Sequence, residues 1–93
     1  METISINEIK KYIPKWFSVN NIRFFKSRYP EYAYKKDNKA YFVSSEKYLD
    51  EPRKYTTRVF DFQTLILNNI GEFQEFNNNN EATRTLMKHL KGE

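Results

Sequence analysis

Residues Lys39–Phe76 read KAYFVSSEKYLDEPRKYTTRVFDFQTLILNNIGEFQEF. Aromatic and β-branched side chains collect in this stretch into strand-like segments separated by polar turn residues. Such side chains favour strands because they pack well on a pleated surface. The stretch therefore predicts an antiparallel sheet, and the other elements are arranged around it.

Three strands follow from this pattern and from the residues just before it. Tyr32–Lys35 and Lys39–Glu46 flank Asp37 and Asn38, two residue types that tolerate the left-handed backbone of a tight hairpin. The third strand runs from about Arg53 to Phe62. Successive side chains of a strand point to opposite faces of the sheet. On the third strand one face carries Tyr55, Thr57 and Val59, and the other carries Thr56, Arg58, Phe60 and Phe62.

Two features of the sheet stay open at this point. Both faces carry aromatic rings, so the alternation does not say which face is buried. The turn after the third strand falls either at Gln63 and Thr64 or at Asn68 and Asn69, and each choice sets a different register between residues 62 and 70. A fourth strand is expected to end at Phe76.

Helices are predicted on both sides of the sheet region. Ser5 with Glu8 three residues later is a capping-box pattern, and Pro14 ends the helix that it opens. A second short helix from Ser18 to Tyr29 competes with a strand from Ile22 to Phe25.

The last helix is predicted to begin after Asn80 as its N-cap and to end at Gly92. Ala82, Leu86 and Leu90 form its apolar stripe. The predicted fold is an α+β domain. It has an antiparallel sheet of three to four strands, two short N-terminal helices, and a C-terminal helix packed on the sheet.

Composition restricts the function classes. The 93 residues are expected to form a single domain, 1–93, and they carry a net charge of +4 and no cysteine. No apolar run reaches the length of a membrane span, and the N-terminus does not resemble a signal peptide. A protein of the cytoplasm is expected, which is the host cell cytoplasm if the gene belongs to a phage.

Catalysis finds little support in the residue types. His89 is the only histidine, the only glycines are Gly71 and Gly92, and no glycine-rich phosphate loop is present. One histidine and no cysteine argue against a transition-metal site. We therefore expect no enzyme activity, no catalytic residue, no metal and no cofactor.

Basic residues interleaved with rings are the strongest chemical feature. Cations can hold phosphates, and exposed rings can stack on bases. The alternative is that the rings are core and the cations form a solvated rim. The predicted nucleic-acid-binding residues are Arg23, Lys26, Arg28, Lys35, Lys36, Lys39, Tyr41, Arg53, Lys54, Tyr55 and Arg58.

The C-terminal half resembles the arm-type DNA-binding domains of phage integrases. The resemblance implies a three-stranded sheet that enters the DNA major groove. The residues that carry it are Tyr55, Arg58 and Asp61, then Gly71 and Phe73, then Glu81 and Ala82 at the start of the helix.

A broader resemblance covers most of Ser18 to Ala82. Over this range the chain is similar to a family of small uncharacterised bacterial and phage proteins. It implies a phage or mobile-element setting and no mechanism. The similar stretches are Ser18 with Arg23–Arg28, Ala33–Lys35, Ala40–Glu46, then Arg53, Tyr55, Thr56 and Arg58, and Gly71–Gln74.

Three functional hypotheses follow. The first is a non-enzymatic phage or mobile-element accessory protein that binds nucleic acid, with DNA favoured over RNA. The second is a phage inhibitor that binds a host protein such as a defence nuclease. The third is a virion structural component that works by self-association.

Overall fold

Two strands of eight residues, Lys39–Glu46 and Lys54–Asp61, form the centre of the sheet. They pair antiparallel, with Phe42 opposite Arg58. The computed structural model describes residues 2–16, 32–46 and 50–92. The predicted second helix, Ser18 to Tyr29, lies outside the described residues.

The other strands and the helices are arranged around this centre. Five strands make one antiparallel sheet in the order β1-β2-β3-β4-β5. The α+β fold with a C-terminal helix on the sheet is confirmed, and the sheet has one strand more than the upper expectation. The elements are β1 Glu2–Ser5, α1 Ile6–Tyr12, β2 Tyr32–Lys36, β3 Lys39–Glu46, β4 Lys54–Asp61, β5 Ile66–Asn69 and α2 Asn79–Leu90.

The extra strand is β1, which lies at one edge of the sheet. It pairs with β2 over its whole length, from Glu2 opposite Lys35 to Ser5 opposite Tyr32. Ser5 then caps α1, because its Oγ accepts a hydrogen bond from the Asn7 amide at 3.2 Å. One serine thus ends a strand and starts a helix.

The β2–β3 turn has the predicted form. Asp37 and Asn38 both have positive φ, at 53° and 61°. Two such central residues are what a tight two-residue hairpin turn requires, since that turn matches the twist of the strands. The turn therefore fixes the register of β2 against β3.

The β4–β5 turn resolves the open register in favour of the turn at Gln63 and Thr64. Asp61 Oδ1 accepts hydrogen bonds from the amides of these two residues, at 2.8 and 3.3 Å. The Asp61 carbonyl accepts a bond from the Leu65 amide at 2.8 Å. Leu65 has a φ of 60°, a conformation that usually calls for glycine or asparagine.

We expect Leu65→Gly to raise the free energy of unfolding by about 0.5–1 kcal/mol. A left-handed backbone costs a non-glycine residue about 1–2 kcal/mol, and glycine removes this strain. The greater freedom of glycine in the unfolded chain offsets about 0.5–1 kcal/mol of the resulting stabilisation. Urea unfolding followed by circular dichroism measures the difference. Thr64→Gly is the matched control and should be destabilising, because Thr64 does not have positive φ. If Leu65→Gly lowered the free energy of unfolding as much as Thr64→Gly does, the strain attributed to Leu65 would be contradicted.

The expected strand up to Phe76 is wrong, because β5 ends at Asn69. Gly71 has a φ of 90° and Gln74 a φ of 57°, so the chain leaves the strand path there. The Gln74 amide donates to Thr56 Oγ1 at 2.8 Å, which holds this loop against β4. Phe76 returns to the sheet and pairs with Tyr55 as an isolated bridge.

The C-terminal helix begins two residues earlier than predicted. Asn78 is the N-cap in place of Asn80, and its Oδ1 accepts a bond from the Glu81 amide at 2.8 Å. All four asparagines of the run 77–80 have the same capping chemistry, so the local sequence did not distinguish them. The apolar stripe Ala82, Leu86 and Leu90 is buried as predicted.

Both faces of the central strands are covered. The face that we call the α1 face carries the even-numbered residues of β3 and β4, and its core is Ile6, Ile9, Ala33, Ala40, Phe42 and Phe60. The α2 face carries the odd-numbered residues, and its core is Tyr41, Val43, Ala82, Leu86 and Leu90. The alternation of β4 is as predicted, and a helix packs on each side of it.

Candidate nucleic-acid interface

The predicted cations of β2 and β3 meet at the hairpin between these strands. Lys36 pairs directly with Lys39 across the turn, and Lys35 precedes Lys36 on β2. Lys36 is exposed, while Lys35 and Lys39 are half-buried. All three lie at one end of the sheet, but on different faces: Lys35 lies on the α1 face, with its Nζ 5.4 Å from the Phe62 ring centroid, whereas Lys36 and Lys39 lie on the α2 face.

The C-terminus of α2 reaches the same end. Lys36 Nζ donates a hydrogen bond to the carbonyl oxygen of Leu90. That carbonyl lies at the negative end of the helix dipole, where a cation is favourable. The next residue, Lys91, is exposed and adds a fourth cation. We call Lys35, Lys36, Lys39 and Lys91 the hairpin-end basic surface.

Carboxylates moderate the charge of this surface. Glu2 is paired in register with Lys35 across β1 and β2, and Asp61 is paired with Lys39 across β3 and β4. Asp61 also accepts the two amide bonds of its own turn. Asp37 lies in the turn next to Lys36, so three carboxylates accompany the four lysines of this surface.

Arg53 and Lys54 lie at the opposite end of β4. Lys54 is paired with Glu46 at the end of β3, whereas Lys39 is paired with Asp61 at the other end. Seven residue steps along a strand separate the two ends, which is roughly 23 Å. Arg53 Nη1 donates to Ser45 Oγ at 2.8 Å. The predicted set is therefore split into two separate groups.

Arg58 is a correction to the predicted surface, because it is 8% exposed. Its Nε donates to Ser44 Oγ at 2.7 Å, and its Nη1 donates to Asn69 Oδ1 at 2.9 Å. Its guanidinium carbon lies 5.3 Å from the Trp16 ring centroid and 5.7 Å from that of Phe73. The Arg58 guanidinium thus connects β4 to β3 and β5 and packs between two rings. It is not accessible to a phosphate.

The two tyrosines predicted to stack on bases are also corrected. Tyr41 is 9% exposed, and its ring centroid lies 5.7 Å from that of His89 on α2. Tyr55 is half-buried and packs against the same α2-face cluster. Both rings lie under α2 because the odd-numbered face of β3 and β4 is the one this helix covers. They belong to the core.

One exposed ring near the basic surface was not among the predicted site residues. Tyr12 is the last residue of α1 and is 50% exposed. Its ring centroid is 5.2 Å from that of Phe62, in an edge-on arrangement. One sequence feature could have identified Tyr12 as a site residue. It is an aromatic residue between Lys11 and Lys15, just before the Ile13–Pro14 break.

Arg23, Lys26 and Arg28 lie outside the described residues. Within residues 2–16, 32–46 and 50–92, no three His, Asp or Glu side chains are grouped so that they could hold a metal ion. In that part of the chain no helix is long and apolar enough to cross a membrane.

Comparison with known proteins identifies a family and no activity. A model for a family of unknown function (DUF7447) matches residues 4–87. No curated protein and no solved structure matches the chain. The matched range includes all five strands in whole or in part, both described helices as far as residue 87, and the β2–β3 hairpin. The predicted resemblance to an uncharacterised family is confirmed, and the chain belongs to this family of unknown function.

Proposed function

We propose that this protein is a small, non-enzymatic accessory protein that binds nucleic acid through the hairpin-end basic surface. The observation that carries the proposal is the grouping of Lys36, Lys39 and Lys91 on the α2 face of the hairpin end, where the Lys36–Leu90 hydrogen bond brings the end of α2 to the turn, with Lys35 on the α1 face of the same end. Clustered lysines attract a polyanion, since each phosphate that they neutralise releases a condensed counterion.

The binding mode differs from insertion of an open sheet into a groove. Helix α1 packs on one face of the sheet and α2 on the other, so β3 and β4 present their ends and not their faces. Lysines at a hairpin act as point charges on the phosphate backbone and read little sequence. We therefore propose backbone binding with low sequence specificity.

The choice of DNA over RNA and the biological setting belong to the proposal as well. DNA is favoured by the resemblance of the C-terminal half to arm-type DNA-binding domains. A phage or mobile-element setting is favoured by the resemblance to small bacterial and phage proteins. Neither assignment is needed for the charge argument, which concerns only the phosphate backbone.

Charge removal at the hairpin tests the proposal. The variant Lys36→Gln with Lys39→Gln should bind DNA about tenfold or more weakly at low salt, because two phosphate contacts are lost. The slope of log K against log salt should become shallower by about 2 for the same reason. Fluorescence anisotropy with a labelled oligonucleotide at several salt concentrations gives both quantities.

The matched control is Arg84→Glu, which changes the net charge by the same two units. Arg84 is exposed on α2, six residues before Leu90, and so roughly 9 Å along the helix axis from it. Equal losses in the two variants would mean that net charge, and not this surface, governs binding. An unchanged salt slope in the double variant would reject the surface outright. A host protein retained after nuclease treatment of the sample would favour the inhibitor hypothesis.

A further inference from the structure

The ring of Tyr12 packs on the core and is exposed to water at the same time. It is 50% exposed, whereas Ile6 and Ile9 on the same helix are 7% and 0% exposed. Its ring lies 5.2 Å from Phe62 and 5.9 Å from Phe60, centroid to centroid. Phe60 is fully buried, so the tyrosine ring rests on the core while half of it faces water.

This ring is adjacent to the hairpin-end basic surface. The Phe62 amide donates a hydrogen bond to the Asn38 carbonyl in the β2–β3 turn, at 3.2 Å. Lys35 Nζ lies 5.4 Å from the centroid of the Phe62 ring. Tyr12 is therefore separated from Lys35 and the turn by a single phenylalanine.

Further cations lie on the helical side of the ring. Lys11 precedes Tyr12 and Lys15 follows it after the Ile13–Pro14 break, and both lysines are exposed. An exposed ring between two cationic segments has the two parts that single-strand binding sites combine. Cations follow the phosphate backbone, and a ring stacks on an unpaired base. In a duplex the base faces are already stacked on one another, so a duplex cannot use the ring.

We propose that Tyr12 stacks on an unpaired base, and that the preferred ligand is single-stranded nucleic acid. This inference rests on the proposed function, since Lys35 of the hairpin-end basic surface would hold a phosphate beside the ring. It replaces Tyr41 and Tyr55 as the stacking residues, because those two rings lie under α2. The nucleic-acid strand passes from Lys36 and Lys39 around the hairpin end to Lys35 on the α1 face, and then across Phe62 to the ring of Tyr12.

Substitution of Tyr12 tests the stacking role. The probe is a labelled oligothymidylate of about 15 nucleotides, a length within the site size of known single-strand binders. A duplex of equal length is the comparison.

The wild-type protein should bind the single strand more tightly than the duplex. Tyr12→Leu should weaken single-strand binding by roughly five- to 100-fold, the effect of losing one base stack. Duplex binding should stay within about twofold of wild type, because the backbone contacts are kept.

Two further variants separate stacking from folding. Tyr12→Phe retains a ring and should retain single-strand affinity. Phe73→Leu removes a ring that is 44% exposed at a different position, and should leave single-strand affinity unchanged. Circular dichroism establishes that each variant is folded before binding is measured.

The outcomes distinguish the two proposals. Wild-type affinity in Tyr12→Leu, or equal wild-type affinity for single strand and duplex, would overturn the stacking inference. The proposed function would still stand if Lys36→Gln with Lys39→Gln weakened binding in the same assay. Failure of the wild-type protein to bind either oligonucleotide would overturn both.

Discussion

Replacement of Phe42 by alanine is expected to lower the free energy of unfolding by about 3–5 kcal/mol. Phe42 is fully buried at the centre of β3, where it belongs to the α1-face core. Its removal loses the transfer energy of the ring and leaves a cavity that a paired strand cannot close. A chain of 93 residues is expected to have about 5–14 kcal/mol in total, so this one change removes a large share of its stability.

Urea unfolding followed by far-ultraviolet circular dichroism measures the loss. Ile66→Ala is the comparison, because Ile66 is an apolar strand residue that is 52% exposed. It should cost about 1 kcal/mol or less. If Phe42→Ala cost no more than Ile66→Ala, the α1-face core would not be packed as described.

Replacement of Arg58 by alanine is expected to cost about 2–4 kcal/mol. The variant leaves Ser44 Oγ and Asn69 Oδ1 without the hydrogen bonds that the guanidinium now donates. It also removes the group that lies between the rings of Trp16 and Phe73. A hydrogen bond donated by a charged group contributes about 1.5–3 kcal/mol.

Two variants identify the cause of this loss. Arg58→Lys keeps the charge but has no planar fork to reach both oxygens, so it should not restore the wild-type stability. Arg53→Ala removes the half-buried arginine that bonds to Ser45, and it should cost about 1 kcal/mol or less. Full rescue by lysine would show that charge alone is required at position 58. The same result for Arg58→Ala and Arg53→Ala would show that burial of Arg58 contributes nothing.

The predictions from sequence succeeded where the determinants are local. Ser5 caps α1 and Pro14 follows its end, as the capping pattern indicated. Asp37 and Asn38 form the predicted hairpin turn. Short-range hydrogen bonds and backbone preferences decide these features, and they act within a few residues of the chain.

The errors concern features that depend on distant partners. β1 forms because Glu2–Ser5 pairs with β2, about thirty positions later in the chain. The sequence of these four residues alone does not predict that pairing. β5 ends at Asn69, and the loop that follows it is held against β4 by the hydrogen bond from the Gln74 amide to Thr56 Oγ1. The same distinction explains the candidate site. The lysines of the hairpin are brought together by a local turn, whereas Lys91 joins them only through packing of α2.

The stretch Lys39–Phe76 by itself determined that there is a sheet, where its central strands lie, and which residues share a face. It did not determine which of those residues meet water. Aromatic side chains occupy both faces of these strands. The alternation therefore did not distinguish a sheet with one covered face from a sheet covered on both faces. Only the tertiary structure decided that question. α1 packs on one face of the strands and α2 on the other, and so Arg58 and Tyr41 are enclosed while the hairpin end and Tyr12 remain accessible.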